Sequence, residues 1–157
     1  MKEKATFGGG CFWGVEESFR TIPGVLETQV GFMGGKTVNP SYREVCTDKT
    51  GHAEVVHLIF DPDKISYQAL LEIFFKIHNP TQLNRQGPDV GTQYRSVIFY
   101  HTEEQKSKAE LMIKSLESSG KYSKEIVTMV EPASSFFPAE DYHQKYLFKR
   151  GLGSCGI

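Results

Sequence analysis

The sequence has no surplus of charge of either sign. Its 157 residues carry 18 Lys and Arg against 19 Asp and Glu, a net charge of −1, with no block of like charges. Nothing stands ready to neutralise a phosphate backbone, so nucleic-acid binding is not expected. Long hydrophobic runs are missing too: no stretch approaches the roughly 20 apolar residues of a membrane span, and no apolar segment follows Met1-Lys-Glu-Lys. The expectation is a chain that neither inserts in a membrane nor is exported, a cytoplasmic monomer. Cysteines are few, Cys11, Cys46 and Cys155, and no CxxC occurs, which removes the usual zinc clip and the usual dithiol redox loop. Three thiols cannot all pair within one chain, and in a reducing compartment they read as free or transiently oxidised. There is also no repeat, no low-complexity tract and no Pro/Gly/Ser linker. A single domain over residues 1–157 is expected, with 150–157 a flexible glycine-rich tail carrying Cys155.

What is present is alternating α and β signal. A strand near Lys4–Phe7 runs into Gly8, Gly9 and Gly10, and Phe12–Arg20 reads as a short helix ended by Pro23-Gly24. Strands follow at Val25–Phe32 and Ala53–Phe60. Tyr67, Leu70, Leu71, Phe74 and Ile77 keep the three- and four-residue spacing of an amphipathic helix. Ser96–Tyr100 is a fourth strand. Thr102 with Gln105 resembles a capping box for a helix striped by Ala109, Met112, Ile113 and Leu116, and Glu125–Val130 reads as a fifth strand. The order β-α-β-β-α-β-α-β predicts an α+β fold, a two-layer α/β sandwich with a ferredoxin-like (split βαβ) core plus an added helix and strand. Gly34–His52 and Asn79–Gln93 are left as long connections, of the size usually kept for function.

Several residues within this pattern can carry chemistry. Cys11, in Gly9-Gly10-Cys11-Phe12-Trp13-Gly14, sits where a helix begins, and unpaired N–H groups and the positive end of the helix dipole favour thiolate there. The alternative for a lone cysteine is a buried small hydrophobe. Flanking glycines and two large aromatics at a turn favour the reactive thiol. Glu54 shares a strand face with Val56, Leu58 and Phe60. Burial there raises a carboxyl toward the range of a general acid at neutral pH, while the opposite reading turns it to solvent or to an arginine. Tyr42 and Tyr94 can donate O–H bonds to a polar oxygen or simply pack. Asp89, among Gly87, Pro88 and Gly91, reads first as a turn cap. His52 and His57 fall on opposite strand faces and cannot join Cys46 around one metal, so no metal is expected. Cys46 reads as structural.

The local motifs resemble those of the A-type peptide methionine sulfoxide reductases over nearly the whole chain. The segments are Gly10-Cys11-Phe12-Trp13-Gly14, Tyr42-Arg43-Glu44-Val45, Gly51-His52-Ala53-Glu54, Gly91-Thr92-Gln93-Tyr94-Arg95-Ser96 and Glu140-Asp141-Tyr142-His143-Gln144. That resemblance implies reduction of the S epimer of methionine sulfoxide, free or in proteins, and so repair of oxidised proteins under oxidative stress. It makes Cys11 the nucleophile, Glu54 the acid, and Tyr42 and Tyr94 the groups that hold the sulfoxide oxygen. It makes Phe12 and Trp13 the pocket for the substrate methyl, and Asp89 an orienting group at its rim. Cys155 becomes the resolving thiol that closes a disulfide with the Cys11 sulfenic acid, with Cys46 ranked below it. No cofactor is implied beyond an external dithiol, thioredoxin as partner or dithiothreitol in its place. Two rival readings differ in class. A thiol hydrolase or acyltransferase would use His52 or His143 to activate Cys11, and a non-catalytic redox sensor would use Cys11 and Cys155 as a switch.

Overall fold

The structure is a computed structural model that describes residues 2–151. Strands β1 (Glu3–Gly8), β2 (Val25–Met33), β3 (Ala53–Phe60), β6 (Val97–Tyr100), β7 (Met129–Pro132) and β8 (Phe137–Pro138) form one sheet in the order β7-β6-β1-β3-β2-β8. The β6–β7 pair is parallel and the other pairs are antiparallel. Strand β3 lies between β1 and β2, and β1 lies between β3 and β6. The helices α1 (Phe12–Arg20) and α3 (Tyr67–Ile77) therefore each connect two strands with a third interposed. Helix α4 (Glu103–Ser118) and β7 extend this core, the helix and strand added in the predicted order.

One face of the sheet carries the helices. Ala5, Phe7, Val56, Leu58, Phe60 and Ile98 pack against Val15 and Phe19 of α1, Leu70, Leu71 and Phe74 of α3, and Ala109 and Met112 of α4. Phe7 is the hub, its ring 5.3 Å from Phe19, 5.1 Å from Phe74 and 6.0 Å from Tyr67. Phe7→Ala should therefore destabilise the fold by about 3–5 kcal/mol, the usual cost of emptying a fully packed phenylalanine site. A chemical-denaturation midpoint within error of wild type would contradict that packing. The opposite face is covered by chain rather than helix, with Met33, Ala53, Val55, Val97 and Phe99 lying under Ala133 and Phe136.

Helix ends follow the capping rules. Ser66 accepts from Ala69 N–H at 3.0 Å to start α3, and Thr102 accepts from Gln105 N–H at 3.1 Å to start α4. The returning arm of the α4 box differs from expectation, because Gln105 Oε1 takes the N–H of His101, one residue earlier. The fifth strand also shifts, from Glu125–Val130 to Met129–Pro132. Ile126 is drawn into the helix-side core, and Val127 N–H is spent on the Pro80 carbonyl at 2.8 Å, so pairing with β6 begins only at Met129.

The two long connections hold structure of their own. The first contains α2 (Tyr42–Val45), started by a complete capping box between Ser41 and Glu44. The second contains the hairpin β4 (Arg85–Gln86) and β5 (Asp89–Val90), followed by a 3-10 turn over Thr92–Tyr94. They are joined to each other, since Asp48 Oδ1 accepts the Thr92 N–H at 2.9 Å. That link brings the Tyr42 and Tyr94 segments to the same end of the sheet. After β8, a short turn leads to α5 (Tyr146–Lys149). No helix among the described residues is long and apolar enough to cross a membrane. Cys155 lies outside the described residues.

Candidate active site

Cys11 is the N-cap residue of α1 and is half-buried. The strand-to-helix turn that presents it depends on Gly10, whose φ of +97° suits glycine and whose missing Cβ would sit 3.0 Å from Gln86 of the β4–β5 hairpin. The first N–H of α1, on Phe12, points at the neighbouring strand and donates to Glu54 Oε1 at 3.2 Å. Glu54 thus takes one of the donors that a helix start leaves unpaired, right beside the cysteine.

Glu54 does sit on the apolar helix-side face of β3, 1% exposed. Its second oxygen accepts from Gln93 Nε2 at 3.4 Å. Burial pushes the carboxyl up to about 8, against the bonds from Phe12 and Gln93 that favour the anion, and the nearby Asp89 charge pushes it further the same way. Desolvation wins, so at neutral pH the group carries a proton.

Tyr42 begins α2 and Tyr94 ends the 3-10 turn, both half-buried. Burial first and then the Glu54 charge raise both phenols, Tyr94 to about 12 with Asp89 adding and the Tyr42 bond offsetting in part, so both remain neutral donors. Asp89 is half-buried on β5, opposite Gln86 in the hairpin register. Glu54, Tyr42, Tyr94 and Asp89 act on one another electrostatically and so form one group around the start of α1. Cys46, read as structural, is exposed, and its Sγ accepts from Gln93 Nε2 at 3.4 Å beside Tyr42.

The aromatic pair divides its labour. Phe12 is fully buried, with its ring 6.0 Å from Tyr42, 5.7 Å from Phe32 and 5.3 Å from His143. It backs the site rather than facing it. Trp13 is half-buried, stacked on Tyr146 at 3.8 Å, and its indole N–H donates to His143 Nδ1 at 2.9 Å. His143 is 1% exposed, and burial lowers its basicity. An acceptor Nδ1 requires the neutral ring, which is also the form that burial favours.

The segment holding that wall is pinned by polar bonds that the sequence motifs did not reveal. Glu140 accepts the Tyr42 N–H at 3.2 Å. Gln144 accepts Val30 N–H at 2.8 Å and donates to the carbonyls of Val30 and Ala139, pairing the open edge of β2 as a strand would. Glu16, buried inside α1, accepts Thr28 Oγ1 at 2.8 Å and Lys145 N–H at 2.6 Å. A glutamate at the middle of this nine-residue amphipathic helix was the available signal for this last clamp.

His52 is a loop clip. Its Nδ1 accepts from Gly35 N–H at 3.0 Å and its Nε2 donates to the Thr37 carbonyl at 2.7 Å, leaving no nitrogen to activate a thiol. His57 lies on the opposite face of β3, where it shares Thr6 Oγ1 with His101. No group of three or more His, Cys, Asp or Glu side chains among the described residues is gathered to hold a metal ion. A cavity of about 640 Å3 opens behind Gln86, lined by Phe75, His78, Tyr122, Lys76, Lys121 and Lys124, and it does not contain the Cys11–Glu54 group.

A thiol at a helix start, a protonated buried carboxyl and two neutral phenols suit reduction of a polar S–O bond. Comparison with known proteins decides the family, because the pattern of the peptide methionine sulfoxide reductases matches residues 3–157. The chain belongs to that family. A peptide methionine sulfoxide reductase MsrA of Methanoculleus marisnigri is 60% identical over 153 residues, 98% of this chain and 93% of the relative. Among solved structures, reduced Mxr1 of Saccharomyces cerevisiae is 35% identical with a TM-score of 0.90, covering 99% of this chain and 89% of that one. Methionine sulfoxide reductase A of Corynebacterium diphtheriae is 38% identical with a TM-score of 0.84, covering 99% and 82%. The family member described here is of the A type, a methionine sulfoxide reductase.

Proposed function

We propose that Cys11 attacks the sulfoxide sulfur while Glu54 delivers its proton to the sulfoxide oxygen. The observation that carries this reading is the buried carboxyl bonded to the first N–H of the helix that Cys11 caps. The attack forms a bond between Cys11 Sγ and the substrate sulfur; that bond and the sulfur–oxygen bond then break as the protonated oxygen passes to Cys11 Sγ, so the substrate sulfur gains two electrons and the cysteine sulfur loses two. Methionine leaves, and Cys11 is a sulfenic acid. Tyr42 and Tyr94 donate to the oxygen while it moves, a role that neutral phenols fill. Trp13 forms the apolar wall for the methyl group, with Phe12 behind it and His143 fixing the indole. Asp89 orients polar groups at the rim.

Recycling is assigned to the tail. The Cys155 thiol attacks the Cys11 sulfenic acid, water leaves, and the resulting disulfide is reduced by an external dithiol. Mxr1 of Saccharomyces cerevisiae has been solved in complex with Trx2, which supports thioredoxin as that dithiol. The proposal is for one catalytic domain acting as a cytoplasmic monomer on free and protein-bound sulfoxide, with no cofactor of its own.

The test offers the S and R epimers of a methionine sulfoxide peptide separately, with dithiothreitol, and measures methionine. Only the S epimer should turn over, because inversion at sulfur exchanges the methyl and oxygen directions relative to Cys11. Equal turnover of both would refute the placement. For the tail, Cys155→Ser should still release about one methionine per enzyme in a single turnover without reductant, while recycling by thioredoxin largely fails and dithiothreitol partly restores it. Normal thioredoxin-driven turnover of this variant, or a wild-type disulfide mapped to Cys11–Cys46, would move the resolving role to Cys46.

A further inference from the structure

We propose that Gln93 is a positioning residue for sulfoxide reduction: its buried amide ties the Glu54 carboxyl to the turn carrying Tyr94 and to the end of the helix carrying Tyr42. The inference rests on the reading of Glu54 as the acid. Gln93 is 4% exposed. Its Nε2 donates to Glu54 Oε2 at 3.4 Å and to Cys46 Sγ at 3.4 Å. A side-chain amide has two N–H donors, so both are spent, one on β3 and one on the last turn of α2. The amide oxygen lies close to the glycine that precedes the turn. A Cβ on Gly91, where φ is +146°, would stand 3.1 Å from Gln93 Oε1.

The residue type fits the task. A lysine or arginine in this place would favour the carboxylate and draw the proton off at neutral pH. An apolar side chain would leave Glu54 Oε2 buried without a donor. A neutral amide orients the carboxyl and lets it keep its proton. The other groups acting on Glu54 are the Phe12 N–H at the start of α1, Tyr42 on α2, Tyr94 on the 3-10 turn, and Asp89 on β5. Gln93 bonds both the carboxyl and Cys46, the residue that caps the end of α2.

The test is the pH profile of single-turnover methionine release for wild type, Gln93→Met and Gln93→Asn. Methionine is close in shape but donates nothing; asparagine keeps the amide one carbon short and serves if the first variant does not fold. Each should lose between about tenfold and 10²-fold in rate at neutral pH, the scale on which a misplaced reacting group is felt. Each should also move the alkaline limb of the profile to higher pH, because a bond that favours the Glu54 anion has been removed. A residue with a merely structural part would lower the rate and leave the limb in place, and that result overturns the inference. If Glu54→Gln abolishes the limb while both Gln93 variants keep it, the acid role stands and only the positioning role falls. A wild type with no alkaline limb removes the acid role and this inference with it.

Discussion

Cys11→Ser is expected to abolish methionine release, under dithiothreitol or thioredoxin and for either epimer, while leaving the fold intact. Position 11 is the N-cap of α1, with extended backbone at φ −63° and ψ 123°, and serine is among the preferred N-cap residues. The variant should therefore melt no lower than wild type, which separates loss of chemistry from loss of structure. An alcohol is a far weaker nucleophile than a thiol, and it cannot accept the sulfoxide oxygen as a sulfenic acid. Methionine formation by a folded Cys11→Ser protein would require a different nucleophile.

The second large effect belongs to Glu54. Glu54→Gln keeps the shape and can still accept the Phe12 N–H, but it has no acidic proton to give. Single-turnover rate should fall by about 10²–10⁴-fold, the usual contribution of a positioned acid. Wild type should lose activity as pH rises through about 8, the value at which Glu54 ionises; the residual rate of the variant should fall less steeply. Stability carries a matching signature. Because the folded carboxyl titrates near 8 rather than at its ordinary 4.5, the folded state holds a proton that the unfolded chain has lost between those values. Wild-type stability is thus drawn down as pH rises across that window, and Glu54→Gln is spared this decline. A folded variant with unchanged rate would exclude the acid role.

Local pattern carried much of the architecture. β3 and α3 run over the residues that alternation and helical spacing mark out, because both bury one apolar stripe against the same core. What pattern could not reach depends on contacts far apart in sequence. The β4–β5 hairpin is two residues to a side, too short for any periodicity, and β8 exists only where Phe137 and Pro138 meet β2. The beginning of β7 is set by Pro80 and Ser96 rather than by its own residues.

The site divides in the same way. Cys11 announces itself by glycines at a strand-to-helix turn, and Glu54 by a carboxyl on an apolar face. Phe12 was harder to place, since a sequence does not tell whether an aromatic beside a cysteine faces a pocket or supports its wall. Gln93, Glu140, Gln144 and Glu16 are polar residues whose parts are defined by partners 12 to 129 positions away. Their types alone are those of ordinary loop and helix residues.

The central claim is that the Glu54 carboxyl is protonated at neutral pH while it is bonded to the first amide of α1. It can be observed without turnover, by titrating the side-chain carboxyl carbons of protein labelled with 13C at glutamate and assigning Glu54 through Glu54→Gln. The account predicts a resonance that stays in the protonated range through pH 7 and moves with a midpoint near 8. A Glu54 resonance already ionised at pH 6 would contradict it.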